Sequence, residues 1–145
     1  MIGLIQRVTQ ASVIVENNTI AKIDKGILLL LGVEKNDTEE NARDLLDKVL
    51  NFRIFEDTAG KMNLPLLDIK GELLVVPQFT LPANTQKGTR PSFASAAAPE
   101  IGLKYFQYFT ELATDRIQNL QCGSFGADMQ VSLVNDGPVT FWLQK

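Results

Sequence analysis

Two short stretches carry the polar groups that could do chemistry in this chain: Gln78-Phe79-Thr80 and Asn135-Asp136-Gly137-Pro138-Val139-Thr140. The first follows an apolar run, Glu72-Leu73-Leu74-Val75-Val76, so an amide and a hydroxyl stand where a buried strand would end. Polar groups presented from the end of a rigid element are a common way to hold a reacting group, although a plain strand end with Phe79 in the core fits the same residues. The second stretch has the composition of a turn between two strands, residues 131–134 and 140–143. Its Gly-Pro pair is also one of the few places where a cis peptide is accessible, because X-Pro bonds prefer trans by only about 0.5–1 kcal/mol. In the cis form two adjacent carbonyls can point the same way and make a rigid polar probe from main chain alone.

Other chemistry is limited by absent residue types. There is no histidine and a single cysteine, Cys122. Ser-His-Asp and Cys-His catalysis, and His- or Cys-rich zinc sites, are thereby excluded within one subunit. A metal site would have to be all-oxygen, and the acidic residues form no spaced ligand loop, so neither metal nor cofactor is expected. Cys122, beside Gly123 at an expected helix end, reads as a small buried residue. The formal net charge of −3 provides no global basic footprint for nucleic acid. A local patch can still meet phosphates; Lys87, Arg90 and Lys104 are the candidates, with scattered surface charge as the simpler reading. The stretch Lys87-Gly88-Thr89-Arg90-Pro91-Ser92 lacks the spacing of a Walker loop.

A chain of 145 residues, 45% hydrophobic and 21% charged, has the size and composition of one soluble globular domain over residues 1–145. Gln6, Arg7, Thr9 and Gln10 interrupt the apolar N-terminus before a secretory h-region could form, and no apolar run reaches bilayer length. A cytoplasmic protein without membrane association is expected.

The elements that must position the two stretches follow from periodicity. Residues 2–15, a turn at Glu16-Asn17-Asn18 and residues 19–23 predict a hairpin. After Asp24-Lys25-Gly26, the run Ile27-Leu28-Leu29-Leu30-Leu31-Gly32-Val33 predicts a strand buried on both faces. Asp37 and Glu40 have capping-box spacing before a helix whose apolar face is Ala42, Leu45, Leu46, Val49 and Leu50. Residues 53–56 alternate like a strand, and Asp57-Thr58-Ala59-Gly60 is a turn. Residues 82–99, with Pro82, Pro91, Pro99 and Gly88, form a connection long enough to be functional. Pro99 suits the start of a second helix and Gly123 its stop, with Ile101, Tyr105, Tyr108, Phe109, Leu112 and Leu120 as its stripe. Alternation from Met129 buries Met129, Val131 and Leu133 on one side. The order predicts an α+β fold: a mixed or antiparallel sheet partly closed into a β-barrel, with two main helices packed on it.

Gln6-Arg7-Val8, Gly60-Lys61-Met62-Asn63, Gln78-Phe79-Thr80-Leu81, Gly88 with Arg90-Pro91-Ser92-Phe93, and Asn135-Asp136-Gly137-Pro138-Val139-Thr140 together resemble the D-aminoacyl-tRNA deacylases, from Met1 to the C-terminus. The resemblance implies a homodimeric enzyme that cleaves the ester between a D-amino acid and the 3′ end of tRNA. Each of its two interface sites would combine Gln78-Phe79-Thr80 of one subunit with Gly137-Pro138 of the other. It further implies a cis Gly-Pro bond whose carbonyls hold the substrate's amino group and leave no room for an L side chain.

An activated ester needs little beyond positioning and stabilisation of the tetrahedral oxyanion, which backbone N–H groups supply. Phe79 and Thr80 are therefore the candidate catalytic positions. Either their N–H groups polarise the carbonyl while water attacks with help from the substrate ribose, or Thr80 is itself the nucleophile, for which no base is evident. Gln78, Gly137, Pro138, Arg7 and Met129 are the candidate substrate-binding residues. Arg7 is read as orienting the Gly-Pro segment, with a simple ion pair as its alternative; Met129 is read as lining the amino-acid side, with a core role as its alternative. The chain departs from the resemblance at Pro77, where the family usually has Ser. Proline has no hydroxyl or N–H, so a mechanism that needs that serine's donor is in doubt here. The rival to an enzyme is a non-catalytic dimeric barrel that binds a ligand or RNA.

Overall fold

The computed structural model describes residues 1–86 and 88–145, so Lys87 of the expected basic patch lies outside the described residues. Strand β1 (Ile2–Val15) turns at Glu16 and Asn17, both at positive φ, into β2 (Asn18–Ile23), and β3 (Gly26–Gly32) follows. Helix α1 (Glu39–Asn51), the short hairpin β4 (Phe55–Glu56) and β5 (Met62–Leu64), and β6 (Glu72–Pro77) come next. The chain ends with α2 (Pro99–Thr114), β7 (Leu120–Cys122) and β8 (Gln130–Gln144). The main sheet runs β2-β1-β3-β6-β7, with β8 on the other edge of β1; β3, β6 and β7 are mutually parallel and the other pairs antiparallel. The result is the expected α+β architecture, a mixed sheet partly closed into a barrel with both helices packed on it.

Alternation on the central strands divides the buried residues between two cores. Ile27, Leu29 and Leu31 of β3 and Leu73 and Val75 of β6 face the helices, where they meet Leu45, Leu46, Val49, Phe106 and Phe109. Leu28 of β3 and Leu74 and Val76 of β6 face the barrel interior with Val8, Ala11, Val13, Ala21 and Ile23. These continuous apolar runs are what a strand covered on both faces requires. The expected face of α1 is buried in full.

On β1 the inward phase changes along the strand. Met1 and Ile5 belong to the helix-side core, whereas Ala11 and Val13 belong to the barrel interior. The change falls at Thr9, where the register with β8 slips. One extra residue in a strand reverses which parity points inward, because side chains alternate with period two.

Three expectations are corrected. Residues 135–140 are not a turn between two strands: β8 is one strand along β1, and the polar stretch is a bulge within it. Helix α2 stops at Thr114 rather than Gly123. The chain beyond it is drawn into the sheet as β7, with Leu73 N–H donating to Asn119 O at 3.0 Å and Gly123 N–H to Val75 O at 2.8 Å. Leu120 therefore packs from a strand, and Ile101 of the expected stripe is exposed while Phe106 and Ala113 are buried. Finally, α1 is capped by Thr38 with Asn41, not by Asp37 with Glu40. Asp37 is occupied elsewhere: it accepts from the Met1 ammonium and from Glu34 N–H at 2.7 Å.

Stability should follow this division between packing and capping. Leu45→Ala, which empties a fully buried site between α1 and the sheet, is expected to cost about 2–5 kcal/mol. Thr38→Ala, which removes only the cap, should cost about 1 kcal/mol. Urea unfolding of the two variants beside the wild type measures both, and equal losses would contradict the packing assignment.

Candidate active site

The bulge in β8 is large. Gln6 pairs with Thr140 and Val8 with Asn135, so Arg7 alone spans the stretch where β8 spends Asp136, Gly137, Pro138 and Val139. Val139 returns to the helix-side core, while Gly137 and Pro138 stand exposed. The Gly137–Pro138 peptide is cis. Gly137 sits at φ +128°, and a Cβ there would lie 2.7 Å from Val139 Cγ2 and 3.0 Å from Arg7 Nη2. Only glycine fits such a backbone without displacing its neighbours.

Arg7 supports the bulge from below. Its side chain points to the helix side of β1, and the residue is 6% exposed, the one charged residue buried as a whole among the described residues. Nε donates to Asp136 O at 3.0 Å and Nη1 to Ile54 O at 2.7 Å, with Asp136 Oδ2 3.4 Å from Nε. A buried cation is tolerated when its N–H groups are satisfied in this way. The guanidinium thus ties the bulge to the residue that precedes the β4–β5 hairpin.

The second cluster lies at the end of β6. Pro77 pairs with Leu31 in the parallel ladder, and Gln78 N–H donates to Leu31 O at 2.8 Å. The chain then turns, with Leu81 N–H donating to Gln78 O at 3.3 Å and Ala83 N–H to Thr80 O at 3.1 Å. Among the described residues, the N–H groups of Phe79 and Thr80 have no acceptor. Two adjacent exposed donors in a turn are what a developing oxyanion needs. The Thr80 hydroxyl accepts from Gln78 Nε2 at 2.6 Å, a donor that cannot withdraw its proton. The Phe79 ring, 63% exposed, lies against Phe93 with centroids 5.3 Å apart, so it is not a core residue.

Beside this turn is a cavity of about 470 Å³ whose walls include Gln78, Phe79, Phe106, Phe125, Met129 and Val131. None of its lining residues among those described is titratable. Cys122 stands near it on β7, half-buried, and burial pushes its thiol above the ordinary range, which disfavours the thiolate a nucleophile requires. No group of acidic, histidine or cysteine residues that could hold a metal occurs among the described residues.

Of the expected site residues, Gln78, Phe79 and Met129 share this cavity, and Thr80 adjoins it through Gln78. Arg7, Gly137 and Pro138 form the other cluster and do not line the cavity. Residues not singled out from the sequence include Phe106 and Phe125, which build the cavity wall, and Gly32. A Cβ on Gly32 would lie 2.9 Å from Leu81 Cβ and Pro82 Cδ and 3.2 Å from Gln78 O, so this glycine lets the turn rest on β3. Its place inside an apolar run is the only signal in the sequence, since glycine in a strand marks a close approach of another segment.

Comparison with known proteins gives a consistent result. The family model described as D-Tyr-tRNA(Tyr) deacylase matches residues 4–144. A D-aminoacyl-tRNA deacylase of Pseudoalteromonas atlantica is 59% identical over 143 residues, 99% of each chain. One from Janthinobacterium sp. (strain Marseille) is 55% identical over 144 residues, 99% of this chain and 97% of the relative. Among solved structures, the c-Myc DNA Unwinding Element Binding Protein superposes with a TM-score of 0.96 at 39% identity, covering 100% of this chain and 99% of its own. A probable eukaryotic D-amino acid tRNA deacylase shares the fold, with a TM-score of 0.84 at 17% identity over 99% of this chain and 98% of its own.

Gly32→Ala should lift the turn off β3. The expected outcome is a stability loss of about 1–3 kcal/mol from overpacking, with faster hydrogen exchange at the Gln78 amide, whose acceptor is Leu31 O. Unchanged exchange at Gln78 would show that the turn does not depend on this close approach.

Proposed function

Because the chain belongs to the D-Tyr-tRNA(Tyr) deacylase family, we propose that it hydrolyses the ester between a D-amino acid and the 3′-terminal ribose of tRNA, releasing free D-amino acid and tRNA. The observation that carries this reading is the pair of N–H groups at Phe79 and Thr80 that lack an acceptor among the described residues, beside a cavity whose described lining has no titratable side chain. Water attacks the ester carbonyl carbon, and the two N–H groups hold the oxyanion that forms. The bond from carbonyl carbon to ribose oxygen then breaks, and the ribose oxygen leaves with a proton. A donor of this kind contributes roughly 10²–10³ in rate. The neighbouring ribose hydroxyl assists the water, since the described residues of the site offer no base.

The alternative chemistry, with Thr80 as nucleophile, requires a group to take its proton. Its hydroxyl already accepts from the Gln78 amide, and no carboxylate or lysine among the described residues lines the cavity. The missing serine donor at Pro77 has no part in the main-chain mechanism.

The working unit is a homodimer in which Gly137–Pro138 of one subunit enters the site of the other. The separation of the two clusters within one chain supports this, as does the outer edge of β8. That strand of 15 residues pairs, among the described residues, with β1 alone, and Val134 and Trp142 are exposed on it. A long unpaired edge with apolar side chains is a liability unless another chain covers it. The main chain of Gly137–Pro138 then holds the amino group and excludes an L side chain. D side chains point outward, and Met129 lines the amino-acid side of the site in the cavity it shares with Phe79. Arg7 orients the Gly137–Pro138 segment from beneath. The substrate puts this work in the cytoplasm, and no described helix is long and apolar enough to cross a membrane. A non-catalytic nucleic-acid-binding dimer, the other reading, gains little from a net charge of −3.

Incubation with D-tyrosyl-, L-tyrosyl- and glycyl-tRNA tests the function. Rapid release of D-tyrosine, slower release of glycine, which has no side chain to exclude, and survival of the L ester are expected. Survival of all three esters would favour the binding module, and a completely inert glycyl ester would refute steric exclusion as the only filter.

Thr80→Ala distinguishes the mechanisms, because the substitution keeps the backbone N–H and removes the hydroxyl. Turnover within a few-fold of wild type is expected, whereas a loss on the order of 10³ or more would point to a covalent Thr80 intermediate.

A further inference from the structure

The Asn135 carboxamide spans the neck of the β8 bulge. Its Oδ1 accepts the Val139 N–H at 2.8 Å, and its Nδ2 donates to Thr140 Oγ1 at 2.8 Å. The orientation of the amide is determined by chemistry: a main-chain N–H can only donate, so the oxygen must face Val139 and the nitrogen is left for the hydroxyl. Thr140 Oγ1 also lies 3.4 Å from Gln6 Nε2 on β1, which extends the link to the neighbouring strand. One planar side chain therefore joins the residue before the bulge to the two that follow Pro138. Arg7 holds the same bulge at Asp136 O, on its other limb. Asn135 is only half-exposed, and its main chain stays in register with Val8, so the side chain projects from a fixed base.

We propose that Asn135 is a positioning residue for stereochemical selectivity: its side chain sets how far the main chain of Gly137 and Pro138 projects from the subunit. The inference rests on the deacylase reading above. Exclusion of an L side chain by main-chain atoms is a matter of tenths of an ångström, because those atoms act by contact. A bulge of four residues held at one limb can rock about that support. A second tether across the neck removes this freedom. Loss of Asn135 should accordingly affect the L ester, which that contact excludes, more than the D ester, whose side chain points away from it.

Two variants separate the clamp from mere packing. Asn135→Leu keeps the approximate volume and removes both hydrogen bonds. Asn135→Asp keeps the acceptor for Val139 N–H, and the Thr140 hydroxyl can rotate to donate to the carboxylate, restoring the second link. With D-tyrosyl- and L-tyrosyl-tRNA, the ratio of kcat/KM for the two esters should fall about tenfold or more in Asn135→Leu, the loss that one or two hydrogen bonds convert to. Asn135→Asp should recover most of the ratio. Hydrogen exchange at the Val139 amide, read on the same proteins without substrate, should quicken in the leucine variant and stay slow in the aspartate variant. A discrimination ratio equal to wild type in Asn135→Leu overturns the selectivity role, and equal Val139 exchange in all three proteins overturns the clamp itself. Wild-type protein that cleaves neither ester instead overturns the deacylase reading, and the selectivity role with it, while the exchange measurement still decides whether the clamp exists.

Discussion

Arg7 is held where almost none of its surface reaches water, and its guanidinium is tolerated there because the main-chain carbonyls of Ile54 and Asp136 accept hydrogen bonds from it. An unpaired guanidinium there would be prohibitive, and removing it would strand two carbonyls at a cost of roughly 1–3 kcal/mol each. The interaction therefore works in both directions. The bulge supplies the oxygen that makes a buried arginine acceptable, and the arginine gives the bulge a support that the β1–β8 ladder, interrupted for four residues of β8, does not provide.

The change of phase on β1 and β8 fits the same constraint. Up to Arg7, odd-numbered residues of β1 face the helices; beyond Thr9 they face the barrel. On β8, Val131 and Leu133 pack toward the barrel, and Val139 and Leu143 pack toward the helices. Both strands change allegiance at the one level where the sheet passes from covering helices to enclosing an interior. A bulge is the local device for such a change, since a regular strand turns the same parity to a given side of the sheet along its whole length. The exposed Gly137–Pro138 segment is thus placed at a point the two cores define from either side.

On the proposed mechanism the chemistry falls to main-chain groups, and that raises the demand on rigidity. A side chain can search a few rotamers for its partner, whereas an N–H group aims only where its peptide plane aims. The turn after β6 meets this demand through the Gln78 bond to Leu31, its own internal bonds and its seat on Gly32. The aromatic pair of Phe79 and Phe93 closes one side of it. Asn135 and Arg7 do the corresponding work at the bulge, each satisfying a different limb.

Much of this was legible in the residues alone. The apolar runs of β3 and β6, the buried face of α1 and the first hairpin follow from periodicity, because a strand covered on both faces or a helix on a sheet leaves no other arrangement of those side chains. The missing histidine and the single Cys122 point to backbone chemistry, and the motifs carry the family resemblance. Other features were not legible. Asn135-Asp136-Gly137-Pro138 has the composition of a turn, and it lies within a strand only because β1 runs unbroken beside it and Arg7 reaches beneath. Helix α2 ends early because β6 offers its free edge to residues 120–122, a partner that no local signal announces. The cap moves from Asp37 to Thr38 because an ammonium group distant in sequence claims the aspartate. Local propensity and periodicity are properties of neighbouring residues and can be read along the chain. Which edge is free, which charge is already paired and which side chain spans a gap depend on groups brought together from opposite ends of it, and those are decided only when the sheet closes.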